Sequence, residues 1–576
     1  MVPALRWLRS YNSQTFSSDL IAAIIVSIML IPQSLAYALL AGLPAEVGLY
    51  ASILPLAVYA IFGSSSTLSV GPVAIASLMT AAAVGEVAAA GQYSVTAAAV
   101  TLAGLSGGML MIFGFLRLGF LANFLSHTVV SAFITASAII IAMSQLRHLL
   151  GVNAGGDTLG EILHSLLVAM PTLNLPTLTL GGGVLVFLFL VRSQGVRILS
   201  ALGLSAFQAQ LCAKVAPVLA VIATIALTSS LQLESRGVAV VGDIPSGLPA
   251  LAMPQLSIEL LQTLWLPALL ISIIGYVESV SVGRTLGGKR QERIDPDQEL
   301  IGLGTANVAS ALSGGLPVTG GFSRSVVNFD AGAVTQAASL MTALFIGLVS
   351  LFFTPLLYAL PKATLAATII VAVIALVDFH VIKQTWKVSK SDTAAVLVTM
   401  LLTLGFGVEA GVSCGILVSL SLHLYRTSKP HIAEVGLLPG TQHFRNVRRH
   451  SVETDPQVLS LRVDESLFFA NANYLEDYIY RAVLFAKPTS ETKANTKNEI
   501  SQVILMCTAV NEIDFTALET LEAINHRLQQ QGITLHLSEV KGPVMDMLKR
   551  TDFLQKLSGK VYLSQFEAFN ETRLRP

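Results

Sequence analysis

The sequence predicts an α-helical polytopic membrane protein of fourteen spans, built as a 7+7 inverted repeat and followed by a small α/β domain in water. Three observations predict it. The chain is 53% hydrophobic and only 12% charged, whereas a water-soluble protein carries about a quarter charged residues. Apolar segments recur from Ile21 to Leu424 at spacings that suit spans of about 20 residues. Two of them, one in each half, are broken by Gly or Pro at corresponding places: Ser69-Val70-Gly71-Pro72-Val73 and Gly320-Gly321-Phe322-Ser323-Arg324-Ser325. Paired breaks of this kind point to two half-helices meeting near the bilayer midplane.

In chain order the expected spans are 18–41, 46–63, 69–84, 94–116, 120–145, 173–192, 214–231, 262–283, 297–314, 321–334, 336–354, 363–379, 391–406 and 408–426. Arg6 and Arg9 precede the first, whose apolar run continues past any plausible cleavage point, so it reads as a span and not as a signal peptide. The third and tenth are too short to cross alone, as half-helices would be. Loop charges set the orientation. With the N-terminus inside, the inner loops collect Arg6, Arg9, Arg117, Arg192, Arg197, Lys214, Arg284, Lys289, Arg290, Arg293, Lys383, Lys387 and Lys390. The outer loops hold Arg147, Arg236 and Lys362. That excess of inner positive charge places both termini in the cytoplasm. The expected setting is a bacterial inner membrane.

The pattern changes after residue 440. Val458–Val463 alternates like a strand, Ala472–Ala486 reads as a helix, and Lys487–Asn498 is a polar loop. Gln502–Met506 reads as a buried strand, Phe515–Gln530 as a helix ending before Gly532, Ile533–Leu537 as a strand and Pro543–Lys549 as a helix. Alternating strands and helices indicate a small α/β domain. The expected divisions are a cytoplasmic N-terminus at 1–17, the membrane region at 18–427, a linker at 428–440 and the soluble domain at 441–576.

Composition also narrows the function. The formal net charge is zero, so nothing suggests nucleic acid. Cys212, Cys414 and Cys507 lie far apart and form no metal-ligand spacing, so no metal and no disulfide framework is expected. A nucleotide-binding motif is absent, and no catalytic triad stands out. Neither an enzyme nor a cofactor is expected.

Several stretches resemble the sulfate permease (SulP) family of anion transporters: Ile31-Pro32-Gln33-Ser34-Leu35-Ala36-Tyr37-Ala38 in the first span, and Val47-Gly48-Leu49-Tyr50-Ala51-Ser52 with Phe62-Gly63-Ser64-Ser65 at the second. Ser66 stands where the family signature often has a basic residue. Ser69-Val70-Gly71-Pro72, Glu278-Ser279 and Phe322-Ser323-Arg324-Ser325 are similar to the family's third, eighth and tenth spans. Ile513-Asp514-Phe515-Thr516, with Leu518 and Leu521, resembles the strand-to-helix turn of the STAS domain that follows the membrane part in this family. The resemblance implies a core-and-gate membrane fold, a homodimer and anion transport by movement of the core. No segment like carbonic anhydrase is appended to tie the chain to bicarbonate.

Candidate site residues follow. Pro72 suits the first turn of a helix, whose N–H groups lack intrahelical partners. Val73 and Ala74 would then present N–H groups to a cavity, and Ser323, Arg324 and Ser325 would do so from the opposite half-helix; the alternative is a kink in a continuous helix. A cation in hydrocarbon is expensive and generally lines a polar cavity. Arg324 with two helix N-termini makes a pocket for anions; the alternative is a structural cation paired with Glu278. Gln33 and Tyr37 share a face of the first span and resemble the family's cavity-lining pair; the alternative is interhelical hydrogen bonding. Glu278 is the sole acid of the eighth span's apolar run, either the group that carries a coupled proton or a permanent partner of Arg324. Thr516 matches the phosphorylated position of related soluble STAS proteins; the alternative is a helix N-cap.

The function these readings favour is secondary active transport of a small anion, sulfate with proton symport. Sodium-coupled bicarbonate transport, C4-dicarboxylate transport and an uncoupled anion channel are the alternatives, with a membrane-tethered scaffold further off. Sodium fits less well, since the eighth span holds no second acid. A cytoplasmic protein could dock on the STAS domain.

Overall fold

The computed structural model describes residues 3–89, 91, 93–123, 127–156, 158–201, 203, 205–255, 257–485 and 500–573. They form two compact units, one ending at Ser419 and the other beginning at Leu420.

The first unit is helical. Its first half contains α1 (Ala4–Arg9), α2 (Ser13–Leu40), α3 (Ala45–Tyr50), α4 (Leu54–Phe62), α5 (Ala74–Ala89), α6 (Val95–Phe115), α7 (His127–Leu150), α8 (Leu159–Ala169), α9 (Leu175–Leu190), α10 (Val196–Ala201) and α11 (Ala206–Ser230). The second half contains α12 (Ile258–Lys289), α13 (Pro296–Leu312), α14 (Phe322–Asp330), α15 (Ala337–Phe352), α16 (Lys362–Ile374), α17 (His380–Val388), α18 (Lys390–Phe406) and the start of α19 (Val408–Ser428), which continues past Ser419 into the second unit. Two short strands, β1 (Val70–Gly71) and β2 (Thr319–Gly320), precede α5 and α14.

Local sequence explains where these helices start. Asn12, Ser94 and Ser257 accept hydrogen bonds from the N–H groups of Thr15, Ala97 and Leu260, capping α2, α6 and α12. Asp295 caps α13 with Pro296 at the first helical position.

Every expected span coincides with a helix. Among the described residues, six segments are both long and apolar enough to cross a membrane: Ser13–Leu40, Ala45–Phe62, Val95–Phe115, Thr128–Leu150, Leu175–Ala201 and Ile258–Lys289. The second expected span is interrupted between α3 and α4. Four helices were not expected: the six-residue α1 and α10, and α8 and α17, of 11 and 9 residues. All four are too short to cross, and α8 and α17 are one-sided, so a search for long apolar runs passes over them.

Packing separates the helices into two groups. α4, α6, α12 and α13 pack on one another, as do α7, α9, α11, α16 and α18; α2 touches α14 and α15 as well as α11 and α16. Lipid tails are as apolar as leucine, so helix association here depends on close fit. At the α6–α13 crossing that fit comes from glycine. A Cβ on Gly107 would stand 2.6 Å from the Val308 nitrogen, and one on Gly304 2.7 Å from Met111 Cγ.

The second unit is built on a six-stranded sheet in the order β4-β3-β5-β6-β7-β8. The strands are β3 (Ile432–Leu437), β4 (Phe444–Asn446), β5 (Val458–Val463), β6 (Gln502–Met506), β7 (Thr534–Ser538) and β8 (Val561–Tyr562). β3 runs antiparallel to β4 and β5; β5 to β8 are parallel. Leu459, Leu461, Val463, Val503, Leu505, Leu535 and Leu537 pack against α20 (Ala472–Phe485), α21 (Phe515–Gln530) and α22 (Gly542–Leu548). On the opposite face Val458, Ile504 and Met506 meet Ala568 and Phe569 of α24 (Gln565–Arg573), beyond the short α23 (Phe553–Lys556). The period-two alternation of a pleated strand produces this division.

The expected linker, 428–440, contains β3. Five of its six residues are buried, and it pairs on both sides, so the soluble fold begins earlier than the change in charge suggested. The expected loop Lys487–Asn498 and Ala486 lie outside the described residues, as do the side chains of Ser323, Cys212 and Lys214.

Candidate functional site

The two breaks meet. β1 and β2 pair antiparallel, Val70 opposite Gly320 and Gly71 opposite Thr319. The Gly321 N–H donates to the Ser69 carbonyl at 3.2 Å. A half-helix follows each strand, α5 after β1 and α14 after β2. In α5 the first intrahelical bond runs from the Ser77 N–H to the Val73 carbonyl at 2.9 Å. This leaves the N–H groups of Ala74, Ile75 and Ala76 without an intrahelical acceptor. In α14 the Ser325 N–H donates to the Gly321 carbonyl at 3.0 Å, leaving those of Phe322, Ser323 and Arg324. Both positive helix ends therefore lie beside the crossing. The kinked-helix alternative does not describe Gly71–Pro72, because Val70 and Gly71 are paired as a strand.

Arg324 stands at this crossing, only 2% exposed. Its Nη2 donates to the Thr319 carbonyl at 3.4 Å, and its Nη1 has no hydrogen-bond partner. The guanidinium lies against bare backbone on both sides. A Cβ on Gly71 would stand 2.6 Å from Nη1, and one on Gly321 2.9 Å from Nε and Nη2. Glycine at these two positions makes room for the cation. A buried donor with no acceptor is costly to leave unmet, and an anion at the crossing would satisfy it.

Side chains from other helices hold the crossing. Ser279 accepts from the Gly320 N–H at 2.9 Å, donates to the Gly275 carbonyl at 2.6 Å and meets Thr319 Oγ1 at 2.8 Å. Asn307 of α13 accepts from the Val318 N–H at 2.9 Å and donates to its carbonyl at 2.8 Å. The residues before β1 are held by Asn328, which donates to the Thr67 carbonyl at 3.1 Å, and by Gln336, which donates to those of Ser65 and Leu68.

The expected residues divide as follows. Val73 and Ala74 are buried at the start of α5. Ser325 is fully buried, but both its donors are used: its N–H donates to the Gly321 carbonyl at 3.0 Å, and its hydroxyl donates to the same carbonyl at 2.7 Å while accepting from the Ser69 N–H at 3.0 Å. It ties the two breaks together and has no group free for an anion, contrary to the expectation. Tyr37 is buried within the electrostatic reach of Arg324 and Glu278. Gln33 instead lines a cavity of about 610 Å³ with Pro32, Phe322, Val326, Arg192 and Asp330. The shared helical face thus leads Gln33 and Tyr37 to different surroundings. Glu278 is half-buried and interacts electrostatically with Arg324. No direct ion pair joins the two among the described residues.

Sequence reasoning missed Asn307, Asp19 and Glu299. Asp19 is fully buried and accepts from the Val334 and Thr335 N–H groups at 2.6 and 3.1 Å. Glu299 is fully buried and accepts from the Tyr59 hydroxyl, the Ser64 N–H and the Ser64 hydroxyl. The available signal was polar residues inside apolar runs. In the second unit Asp514, not Thr516, caps α21, accepting from the Ala517 N–H at 2.8 Å. Thr516 is exposed in the first turn. Cys507 is buried and its thiol is pushed up to about 12, chiefly by burial and further by Glu539, which makes it unreactive.

A multi-pass membrane fold with two half-helix N-termini and a buried guanidinium at their crossing has the design of an anion transporter. A model of the sulfate permease family matches residues 16–399, and one of the STAS domain matches residues 449–568. The chain belongs to the sulfate permease family. It is 35% identical to the chloroplastic sulfate transporter 4.1 of Arabidopsis thaliana, over 97% of this chain and 80% of that one. It is 31% identical to a probable sulfate transporter of Mycobacterium tuberculosis, over 96% and 95%. Its fold matches the murine solute carrier 26 family member A9 anion transporter in the inward-facing state, with a TM-score of 0.89 at 22% identity, covering 100% and 94%. The transmembrane domain of the cyanobacterial bicarbonate transporter BicA matches with a TM-score of 0.59 at 22% identity, covering 71% of this chain and 98% of that one.

Proposed function

We propose that this protein is a secondary carrier that takes up sulfate together with protons. The observation that carries the reading is the unpartnered Nη1 of Arg324, buried between two half-helix N-termini. Arg324 with the N–H groups of Ala74 to Ala76 and Phe322 to Arg324 would hold a small oxyanion. Val73 and Tyr37 would close the pocket, and Gln33 would meet the anion in the adjoining cavity. Sulfate is favoured because the relatives described above are named as sulfate transporters.

Glu278 is the proposed proton carrier. It lies near Arg324 without a direct bond to it, so its charge can respond when an anion enters. In this reading the protein works as a homodimer, in a bacterial inner membrane with both termini cytoplasmic. The Lys and Arg bias of the loops supports that orientation. The exposed Thr516 is the proposed site of regulation, since a phosphate there would meet the N-terminus of α21.

The test is uptake of radiolabelled sulfate into liposomes holding the purified protein, against bicarbonate and succinate as competitors, with and without sodium and an imposed pH gradient. The reading expects sulfate uptake that an inward proton gradient stimulates and sodium does not. Sodium-dependent bicarbonate uptake, or gradient-independent flux at channel rates, would replace it.

A further inference from the structure

A second cavity lies away from the crossing, between the later turns of α5 and the end of α7. It encloses about 230 Å³ and is lined by Leu78, Val84 and Gly85 of α5, Ser144 and Arg147 of α7, and the backbone of Ala154 to Gly156. Several waters fit in such a space. Among the described residues, Arg147 is the one charged side chain in its wall.

The guanidinium is fixed in place. Nη1 donates to the Ala154 carbonyl at 3.3 Å, and Nε donates to His148 Nε2 at 3.2 Å. Nη2 makes no hydrogen bond among the described residues. Because His148 accepts at Nε2, its ring is neutral in this arrangement and takes no charge from Arg147. Lys362, at the start of α16, adds a second positive charge that is felt at His148. Two of the three cations assigned to the outer loops, Arg147 and Lys362, thus both act on His148, although the sequence separates them by more than 200 residues. Glycine opens the walls: Gly85 has nothing within 4 Å of a built Cβ, and a Cβ on Gly155 would stand 4.0 Å from Arg147 Nη1.

We propose that this cavity is a second anion site, which takes a small oxyanion such as sulfate on the membrane face opposite the Lys- and Arg-rich loops. It rests on the anion-transport reading above, and on the orientation given there. Arg147 Nη2 supplies the donor and Lys362 supplies long-range attraction, while the Ser144 hydroxyl in the wall already donates to the Ile141 carbonyl at 2.9 Å. The site and the half-helix crossing lie along the same helix, α5, so an anion held here is already beside the element that carries the central pocket.

The experiment measures equilibrium binding of radiolabelled sulfate to purified full-length protein, separately from uptake. In Arg324→Ala the central pocket loses its cation. We expect that protein to bind sulfate saturably still. Adding Arg147→Gln weakens this remaining binding about ten- to a hundredfold, as removal of a charged hydrogen-bond donor does; Arg147→Lys retains part of it. Gly85→Leu, whose Cβ meets nothing within 4 Å, has the same effect by filling the cavity. If Arg324→Ala binds no sulfate, or if binding ignores both added changes, there is no second site. Uptake that survives in Arg324→Ala counts against the central pocket, while the effect of Arg147→Gln on binding still decides this one.

Discussion

The first break, Ser69–Val73, carries no ionisable side chain, and the second, Thr319–Ser325, carries Arg324. Their backbones are nonetheless alike: each is a two-residue strand followed by a half-helix, and the strands pair with each other. They depend on each other in side chains as well. The second break provides the cation, and the first provides the bare glycine, Gly71, on which it rests. Ser325 of the second holds the N–H of Ser69 in the first. The polar supports differ too, coming from Ser279 and Asn307 for the second break and from Asn328 and Gln336 for the residues before the first. An inverted repeat thus supplies a symmetric frame, and chemistry is placed on one side of it only.

Removing the charge should erase the asymmetry. Arg324→Ala is expected to lower sulfate uptake by roughly two orders of magnitude, since it takes away a buried charged donor, with membrane expression unchanged. Uptake near the wild-type rate would mean that the helix ends suffice alone. Gly71→Ala attacks the same cation from the neutral break. The added methyl overlaps Nη1, so the guanidinium must move, and a displacement of about 1 Å costs up to roughly a hundredfold in function. Liposome uptake in this variant equal to wild type would show that the cation has slack.

Ser279→Ala tests the support of the second break. It leaves the Gly320 N–H without its acceptor, at about 1–3 kcal/mol for a buried group. A lower thermal midpoint in detergent, with reduced uptake, is expected. An unchanged midpoint would assign the stability of the crossing to strand pairing alone. Glu278→Gln should have the smallest effect on uptake without a gradient, because the amide keeps the size of the acid. Stimulation by an imposed proton gradient should disappear. Equal stimulation of variant and wild type would remove Glu278 from the coupling step.

Much of this was legible from the chain. Long apolar runs report helices because the bilayer leaves the backbone no other way to satisfy its polar groups. The Gly and Pro breaks located the half-helices, since their chemistry is local. In the soluble unit β5, α20, β6 and α21 fell where their periodicity placed them, whereas Ile432–Leu437 was assigned to a linker. Its six residues carry a single charge, but their neighbourhood is polar, and only its pairing with β4 and β5 shows that it is a strand inside the sheet.

The sequence by itself determined the membrane fold, the positions of both breaks and the presence of one cation at the second, because each follows from hydropathy or from residues next to one another. Tertiary structure decided which polar groups remain free. Ser325 and Arg324 are adjacent in the chain and look equally available, yet Ser325 is fully hydrogen-bonded across the crossing while Arg324 keeps an unpartnered nitrogen. Likewise the charge of Lys362 acts on His148, joining residues of different halves. Hydrogen-bond satisfaction depends on partners some 250 residues away for Ser325, and no local pattern encodes which of them arrives.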